Sequence, residues 1–235
     1  MIVWEIPKMW EGGECWIIGG GPSMPRQFGV PEELIQAVAE KKQPLSAYSP
    51  FLHPIHGEHT IGINAAFLLG DWVDIVFFGD GDFYRAHKPG MDARTKLKIC
   101  CSTTFPSKKG HYGLRFVGKD NRQPLGITSR SGYVSWNLNS GAASISVAHQ
   151  AGVKRIYLLG FDMKLDPNGH QHWHSQYRVE GAPLNTNPGR LPFHRHLQGF
   201  QRIAQDARKL GIEILNVNPD SAITEFKKVA LKDVL

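Results

Sequence analysis

The 235-residue sequence predicts an α/β fold, a Rossmann-like three-layer sandwich with a mostly parallel sheet and helices on both of its faces. Short apolar segments alternate along the chain with segments of helical periodicity, which is typical of parallel strands joined by helices. Most of the apolar segments end directly at glycine, asparagine or aspartate, and ligands of such sheets bind at the carboxyl ends of the strands. We therefore expect a single domain over residues 1–235 with its binding site at that edge.

The N-terminal half is predicted to alternate between strand and helix. Strands are expected over residues 14–19, 60–63, 73–78 and 97–101, and helices over residues 31–42 and 65–69. The longer helix begins with Pro31 and has two glutamates near its positive end, which favours a helix start there. Residues 43–58 are rich in proline, histidine and serine, so we expect an exposed loop excursion.

The C-terminal half repeats the alternation. It follows residues 102–137, for which we predict no order beyond a β-like piece at 114–117. Helices are expected over residues 140–150 and 193–210, and strands over residues 155–159 and 212–217. Glycine follows each of these helices, as it commonly does at helix ends. Residues 163–193 hold many proline, glycine, asparagine and histidine residues, which predicts a histidine-rich lid loop.

Composition limits the class of protein. Hydrophobic residues make up 41% of the chain and charged residues 20%, which fits a folded domain. No apolar run reaches the ~20 residues that cross a bilayer and no signal core follows the N-terminus, so we expect a cytoplasmic protein. The three cysteines lack metal spacing, and we expect buried, reduced thiols. The net charge of +6 suits an anionic ligand such as a nucleotide, whereas scattered lysine pairs do not favour nucleic acid.

The first predicted strand runs into Gly19-Gly20-Gly21-Pro22-Ser23. Three adjacent glycines let backbone N–H groups approach a ligand closely, and such amides favour phosphate groups. The turn lacks both the Gly-x-Gly-x-x-Gly spacing and a Lys-Ser/Thr ending, so neither a dinucleotide site nor a Walker-type site is predicted. We interpret it as one wall of a mononucleotide pocket, with a flexible surface turn as the alternative.

Further polar groups follow other predicted strands. Asn64 is a candidate contact for a base or a ribose, or else a cap of the next helix. At Asn139-Ser140-Gly141 we expect the serine to cap a helix whose free N–H groups bind an anion, with capping alone as the alternative. Asp80 and Asp162 are candidate nucleotide contacts and candidate Mg²⁺ ligands. Their alternatives are loop solvation and, for Asp162, a hydrogen bond to its own turn.

Five of the 11 histidines lie within residues 170–196. In extended backbone, His170, His172 and His174 would point to one face, as a transition-metal site would require. The segment has neither a nearby cysteine nor HExxH spacing, so we favour a catalytic or phosphate-facing role for one or two of the five. A pKa near neutrality suits histidine to general-base chemistry. Polar loop surface is the alternative.

Four sequence blocks, in order, resemble one superfamily. They are residues 19–23 (Gly-Gly-Gly-Pro-Ser), 62–66 (Gly-Ile-Asn-Ala-Ala), 139–143 (Asn-Ser-Gly-Ala-Ala) and 155–163 (Arg-Ile-Tyr-Leu-Leu-Gly-Phe-Asp-Met). The superfamily contains the MptE-like proteins, known for an archaeal 6-hydroxymethyl-dihydropterin pyrophosphokinase, and the bacterial sialyltransferases of glycosyltransferase family 42. The resemblance covers about residues 14–226 and extends to many uncharacterised phage and bacterial proteins.

The resemblance to the sialyltransferases implies that Gly19 to Ser23, Asn64 and Ser140-Gly141 hold a cytidine nucleotide. The sialyltransferases have asparagine where this chain has Gly20. The closing Asn218-Pro219-Asp220-Ser221 resembles a Pro-Asn-Ser turn of that family.

The resemblance also implies catalytic residues. By its spacing to the last strand, His194 matches the family's histidine base, and His196 is the neighbour to test. Tyr177 and lid histidines such as His174 would offset charge on the leaving phosphate.

Three functions follow from the resemblance. The first is a nucleotide-dependent transferase, most like a CMP-sugar glycosyltransferase that acts on a small-molecule or glycan acceptor. The second is a Mg²⁺-dependent pyrophosphokinase that uses ATP, with Asp80 and Asp162 as metal ligands. The third is a non-enzymatic nucleotide- or sugar-binding accessory protein of phage. All three stay open, because a shared fold does not fix a function.

Overall fold

The computed structural model describes residues 3–102, 113–174, 176, 187 and 190–235. Ten strands lie within these residues. They are β1 (Glu14–Ile18), β2 (Thr60–Ile63), β3 (Ile75–Phe78), β4 (Leu97–Cys100), β5 (Leu114–Phe116), β6 (Gly118–Lys119), β7 (Tyr133–Val134), β8 (Arg155–Leu159), β9 (Glu213–Asn216) and β10 (Lys227–Lys228). Eight of them form one sheet in the order β10-β9-β8-β1-β2-β3-β4-β5, while β6 pairs with β7 in a separate ladder.

Six α-helices lie within the described residues, joined by short 3₁₀-helices. The α-helices are α1 (Ser23–Gln27), α2 (Glu32–Ala39), α3 (Gly81–Ala93), α4 (Ser140–Gln150), α5 (Phe193–Leu197) and α6 (Phe200–Leu210). The 3₁₀-helices are Leu45–Ile55, Asn64–Leu69 and Leu231–Asp233. In the described part of the chain, no helix is both long and apolar enough to cross a bilayer.

Both faces of the sheet are buried, so the predicted three-layer α/β fold is confirmed. Ile17 packs with the buried residues of α4 and α6, whereas its neighbours Trp16 and Ile18 pack with α2 and the 3₁₀-helix Leu45–Ile55. Successive residues of a strand point to opposite faces, so a strand that is apolar throughout requires cover on both sides. The three cysteines are buried and free, as expected.

Strand order locates the binding edge. From β1 the chain adds β2, β3, β4 and β5 in one direction and then crosses back to place β8 on the other side of β1. All sheet pairs are parallel, and β1 and β8 are in register from Glu14↔Arg155 to Ile18↔Leu159. The turns that follow β1 and β8 therefore lie side by side where the strand order reverses, which is where open α/β sheets bind ligands.

Several predicted elements are wrong in detail. Residues 43–58 are not an exposed excursion, because Tyr48, Leu52 and Ile55 of the 3₁₀-helix are fully buried. The helix predicted over residues 193–210 is two helices, α5 and α6. They are separated at Gly199, where a Cβ atom would lie 2.7 Å from the Asn137 side chain.

Two helices were not predicted at all. One is α1, which directly follows the glycine turn. The other is α3, which contains Pro89 and is kinked at His87. The strand predicted from residue 73 begins two residues later, at Ile75.

Candidate functional site

A cleft of about 650 Å³, a volume that includes open space at its mouth, lies where the strand order reverses. Its walls are the turns after β1, β2 and β8, the beginning of α4, part of residues 171–174, and two residues of α5. Most of the predicted nucleotide contacts line it, namely Gly19, Gly20, Gly21, Asn64, Asn139, Ser140, Gly141 and Asp162. The parallel topology thus brings together predicted contacts that are up to 143 positions apart in sequence.

The glycine turn, residues 19–21, is crowded by the protein's own atoms. A Cβ atom on Gly21 would lie 1.7 Å from Asp162 Oδ2 and 2.6 Å from the carbonyl oxygen of Gly160. On Gly19 it would lie 2.7 Å from the same carbonyl and 3.1 Å from the ring of Phe161. None of the three glycines has a positive φ. Close packing, and not backbone conformation, therefore requires glycine here.

Most of the N–H groups of this turn already donate hydrogen bonds within the protein. Gly19 N donates to Leu159 O at 2.8 Å and Gly21 N donates to Gly160 O at 2.7 Å, which extends the pairing of β1 with β8. Ser23 N donates to Asp162 Oδ1 at 3.2 Å, and Pro22 has no N–H. Gly20 N donates to no acceptor among the described residues. The expected nest of free amides is therefore wrong for two of the three glycines.

The segment His172-Trp173-His174 also contacts the glycine turn, through two hydrogen bonds from Trp173. Trp173 N donates to Gly20 O at 3.0 Å, and its indole Nε1 donates to Gly19 O at 2.8 Å. The indole is buried and packs edge-on against Tyr48 with ring centroids 6.1 Å apart. This part of the predicted lid is thus a fixed wall of the cleft.

Asp162 is the buried carboxylate of the cleft, with 4% of its surface exposed. Its Oδ1 accepts from Ser23 N at 3.2 Å and from Asn218 Nδ2 at 2.9 Å. Its Oδ2 is buried and has no hydrogen-bond partner among the described residues. Burial raises the pKa of this carboxyl group. An unpartnered buried carboxylate oxygen is costly, which agrees with the raised pKa of the group.

Asn64 lines the cleft directly after β2, in a left-handed backbone conformation with φ of +50°. Ile63 and not Asn64 occupies the N-cap position of the helix that follows, so the capping alternative is wrong. Asparagine tolerates this backbone conformation better than most residues. Asn64 lines the cleft, and its side-chain amide has no hydrogen-bond partner in the described part of the chain.

At the start of α4 the capping residue is Asn139, and the expectation that Ser140 caps the helix is wrong. Asn139 Oδ1 accepts from Ala142 N at 2.7 Å, and its Nδ2 donates to His196 O at 3.0 Å. The amide thus joins α5 to the beginning of α4. Ser140 N and Gly141 N donate to no acceptor among the described residues, and both residues line the cleft.

The two candidate Mg²⁺ ligands do not share the cleft. Asp80 is exposed, and its Oδ1 accepts from Asp82 N at 2.8 Å to cap α3. Asp162 lines the cleft, but Asp80 does not. In the described ranges no group of three histidine, cysteine, aspartate or glutamate side chains has metal-binding geometry. Asp80 and Asp162 are therefore not brought together in this cleft.

The histidines separate into different environments. The rings of His172 and His174 stack with centroids 5.1 Å apart and an interplanar angle of 1°, as the predicted common face requires. His170 is not part of this stack, and its Nδ1 lies 3.2 Å from Asp166 Oδ2. His196 lines the cleft, whereas His194 is exposed and does not. Tyr177 lies outside the described residues.

The cleft histidines are neutral at physiological pH. Burial lowers the pKa of His172 to about 4 and that of His196 to about 4. The more deeply buried His174 has a pKa well below its ordinary value for the same reason. An imidazolium in a desolvated site is unfavourable unless an anion lies beside it.

No protein-family model matches the chain, and no curated protein matches it. The MAf glycosyltransferase of Magnetospirillum magneticum AMB-1 is similar in structure, with a TM-score of 0.56 and 11% identity. The match covers 99% of this chain and 36% of that one, so this chain spans just over a third of its length. The likeness shows a glycosyltransferase-like fold.

The sialyltransferase CstII from Campylobacter jejuni also matches, in complex with cytidine-5'-monophosphate and with CMP-3FNeuAc. The first has a TM-score of 0.46 and 14% identity over 92% of this chain and 84% of that one. The second has a TM-score of 0.48 and 15% identity over 92% and 86%.

Proposed function

We propose that the protein is a nucleotide-dependent glycosyltransferase that binds a CMP-sugar in the cleft. One observation carries the proposal. The cleft collects hydrogen-bonding groups that the described residues do not use: Gly20 N–H, the Asn64 amide and Asp162 Oδ2. A nucleotide supplies matching groups, because it has phosphate acceptors, ribose donors and a base edge.

The phosphate is best accommodated between the glycine turn and α4. The N–H groups of Ser140 and Gly141 lie at the positive end of an 11-residue helix, and Gly20 N–H lies on the opposite wall. Helix N-termini with free amides favour anions. For the ribose we propose a hydrogen bond from a hydroxyl group to Asp162 Oδ2, which would satisfy an otherwise unpartnered buried acceptor.

For the transfer step we propose His196 as the general base. It lines the cleft, and burial keeps its imidazole neutral, with a pKa of about 4. The acceptor hydroxyl gives its proton to His196 while its oxygen forms a bond to the anomeric carbon of the sugar. The bond from that carbon to the phosphate oxygen breaks, and CMP leaves. His194, which the resemblance favours, is the alternative base. The likeness in fold to the MAf glycosyltransferase supports this reaction class.

Isothermal titration of CMP, CTP and ATP, with and without Mg²⁺, tests the nucleotide proposal. We expect the cytidine nucleotides to bind in the absence of metal. No binding of any of the three at millimolar concentration would contradict the proposal. Binding of ATP alone, and only with Mg²⁺, would favour the pyrophosphokinase.

Hydrolysis of CMP-N-acetylneuraminate tests the assignment of the base, with water as the acceptor. We expect His196→Asn to slow release of CMP about 100-fold or more, as loss of a general base typically does, and His194→Asn to leave it unchanged. The reverse pattern would assign the base to His194. Nucleotide binding without turnover by the unmodified protein would favour a binding protein.

A further inference from the structure

The cleft contains an aromatic feature that the proposed reaction does not use. The rings of His172 and His174 stack in parallel beside the glycine turn. His172 contacts Gly20 so closely that a Cβ atom there would lie 2.8 Å from the imidazole Nδ1. Trp173, between them, fixes both rings through its two hydrogen bonds to the carbonyls of the turn. The pair is therefore a rigid part of the wall.

We propose that His172 contacts the anionic group of the ligand bound in this cleft, and that the His172–His174 pair takes up one proton from solvent as the ligand binds. The proposal rests on the proposed function, because it concerns the same nucleotide site. The proton passes from the buffer acid to a neutral imidazole, and the imidazolium then pairs with the phosphate.

The geometry points to His172 as the proton acceptor. It touches Gly20, whose N–H has no acceptor among the described residues, so an anion bound to that amide would lie next to the imidazole. His174, the other ring of the pair, is more deeply buried, with 8% of its surface exposed. A charge on His172 is favoured by a bound phosphate, because an opposite charge within a few ångströms favours the ionised form.

The pair takes up one proton and not two. Stacked imidazoles with centroids 5.1 Å apart repel each other when both are charged, so their titrations are coupled. A charged His196 on α5 would repel a charge on His172, and a charged His87 on α3 would repel a charge on His174. Among the described residues, Asp162 is the remaining titratable group that lines the cleft, and Arg195 disfavours a charge on His196.

Without a ligand the pair is neutral, since burial lowers the pKa of both rings and brings that of His172 to about 4. Proton uptake therefore accompanies binding over the pH range in which His172 and His174 are neutral in the empty site. Affinity for the anion then rises as pH falls, by at most about tenfold for each pH unit when one proton is taken up.

Calorimetry in buffers of different ionisation enthalpy tests this directly. The probe is cytidine 5'-(methyl phosphate), because a phosphodiester lacks the second phosphate ionisation near pH 6 that would confuse the result. At pH 6.5 we expect the observed binding enthalpy to vary linearly with buffer ionisation enthalpy, with a slope approaching one proton taken up. Measurable binding with zero slope would overturn the inference and leave the proposed function intact. No binding of the probe, CMP or CTP would contradict the proposed function instead.

Two substitutions assign the proton. In His172→Asn, and in His172→Gln as a second variant in case the first does not fold, we expect the slope to fall to near zero while weaker binding remains. The matched control is His59→Asn, because His59 is exposed and precedes β2, at the opposite edge of the sheet from the cleft. Its slope should equal that of the unmodified protein. An unchanged slope in both His172 variants would place the proton on another group and overturn the assignment.

Discussion

The two walls of the cleft differ in how their polar groups are used. On one wall, the glycine turn has most of its N–H and C=O groups bonded to β8, to the following turn and to Trp173. On the other, the Asn64 side chain and the N–H groups of Ser140 and Gly141 make no such bonds to the described residues. The wall that looks most like a ligand loop is mainly a packed junction, and the less conspicuous wall offers more groups for a ligand.

Substitution at the packed wall should have the largest effect. Gly21→Ala would place a Cβ atom against both Asp162 Oδ2 and the backbone carbonyl of Gly160. Overpacking of this kind costs about 3 kcal/mol of the free energy of unfolding. Urea unfolding measures it, and Gly57→Ala is the matched control, because no atom lies within 4 Å of a Cβ atom there. Equal free energies of unfolding for the two variants would mean that the turn relaxes to accommodate the added methyl group.

The histidines of the packed wall should make stability depend on pH. The pKa of His172 is about 4 in the folded protein, below the value of roughly 6.5 expected for an unfolded chain. The unfolded state therefore binds more protons between these values, and stability is lost as pH falls through this window. The raised pKa of Asp162 acts in the opposite direction.

From pH 7 to pH 5 we expect His172 alone to account for a loss of about 2 kcal/mol. Urea unfolding of the unmodified protein and of His172→Asn at both pH values checks this. The variant should lose less stability on acidification. An identical loss in both proteins would show that the imidazole is not neutral in the fold.

Substitution at the open wall should affect binding more than folding. Asn64→Gly removes the amide while accepting the φ of +50°. We expect CMP affinity to fall about tenfold, which corresponds to one lost hydrogen bond of about 1.4 kcal/mol, with little change in unfolding free energy. Asn64→Ala is the comparison, because it removes the same amide and adds backbone strain. Unchanged CMP affinity in Asn64→Gly would exclude a ligand contact by this side chain.

Much of the fold could be predicted because the sheet strands are apolar on both faces and end at polar or glycine residues. Strands β1, β2 and β8 and helix α4 lie where the sequence places them to within a residue. The 3₁₀-helix Leu45–Ile55 was missed because its prolines and histidines look like loop residues, although its apolar side chains fill the core. Helix α3 was missed because Pro89 and Gly90 interrupt its pattern.

Much of the lining of the cleft could also be predicted, but not the contacts that each residue makes. That Asn139 and not Ser140 caps α4 depends on backbone geometry at one residue. His196 lines the cleft and His194 does not. This difference depends on the position of α5, which is joined to α4 by the hydrogen bond from Asn139 Nδ2 to His196 O. Both choices are made by a few contacts between distant segments, which have no local signal in the sequence.

The sequence by itself determined the parallel α/β architecture and the edge at which its polar residues collect, because hydrophobic periodicity and strand-end residues are local properties of the chain. Only the tertiary structure decided which of those residues are committed to the fold. Gly21 is required by an aspartate 141 residues later in sequence, and the glycine turn is held by a tryptophan from a predicted lid. Such close approaches are set by strand order and register, because these determine which distant atoms compete for the same space.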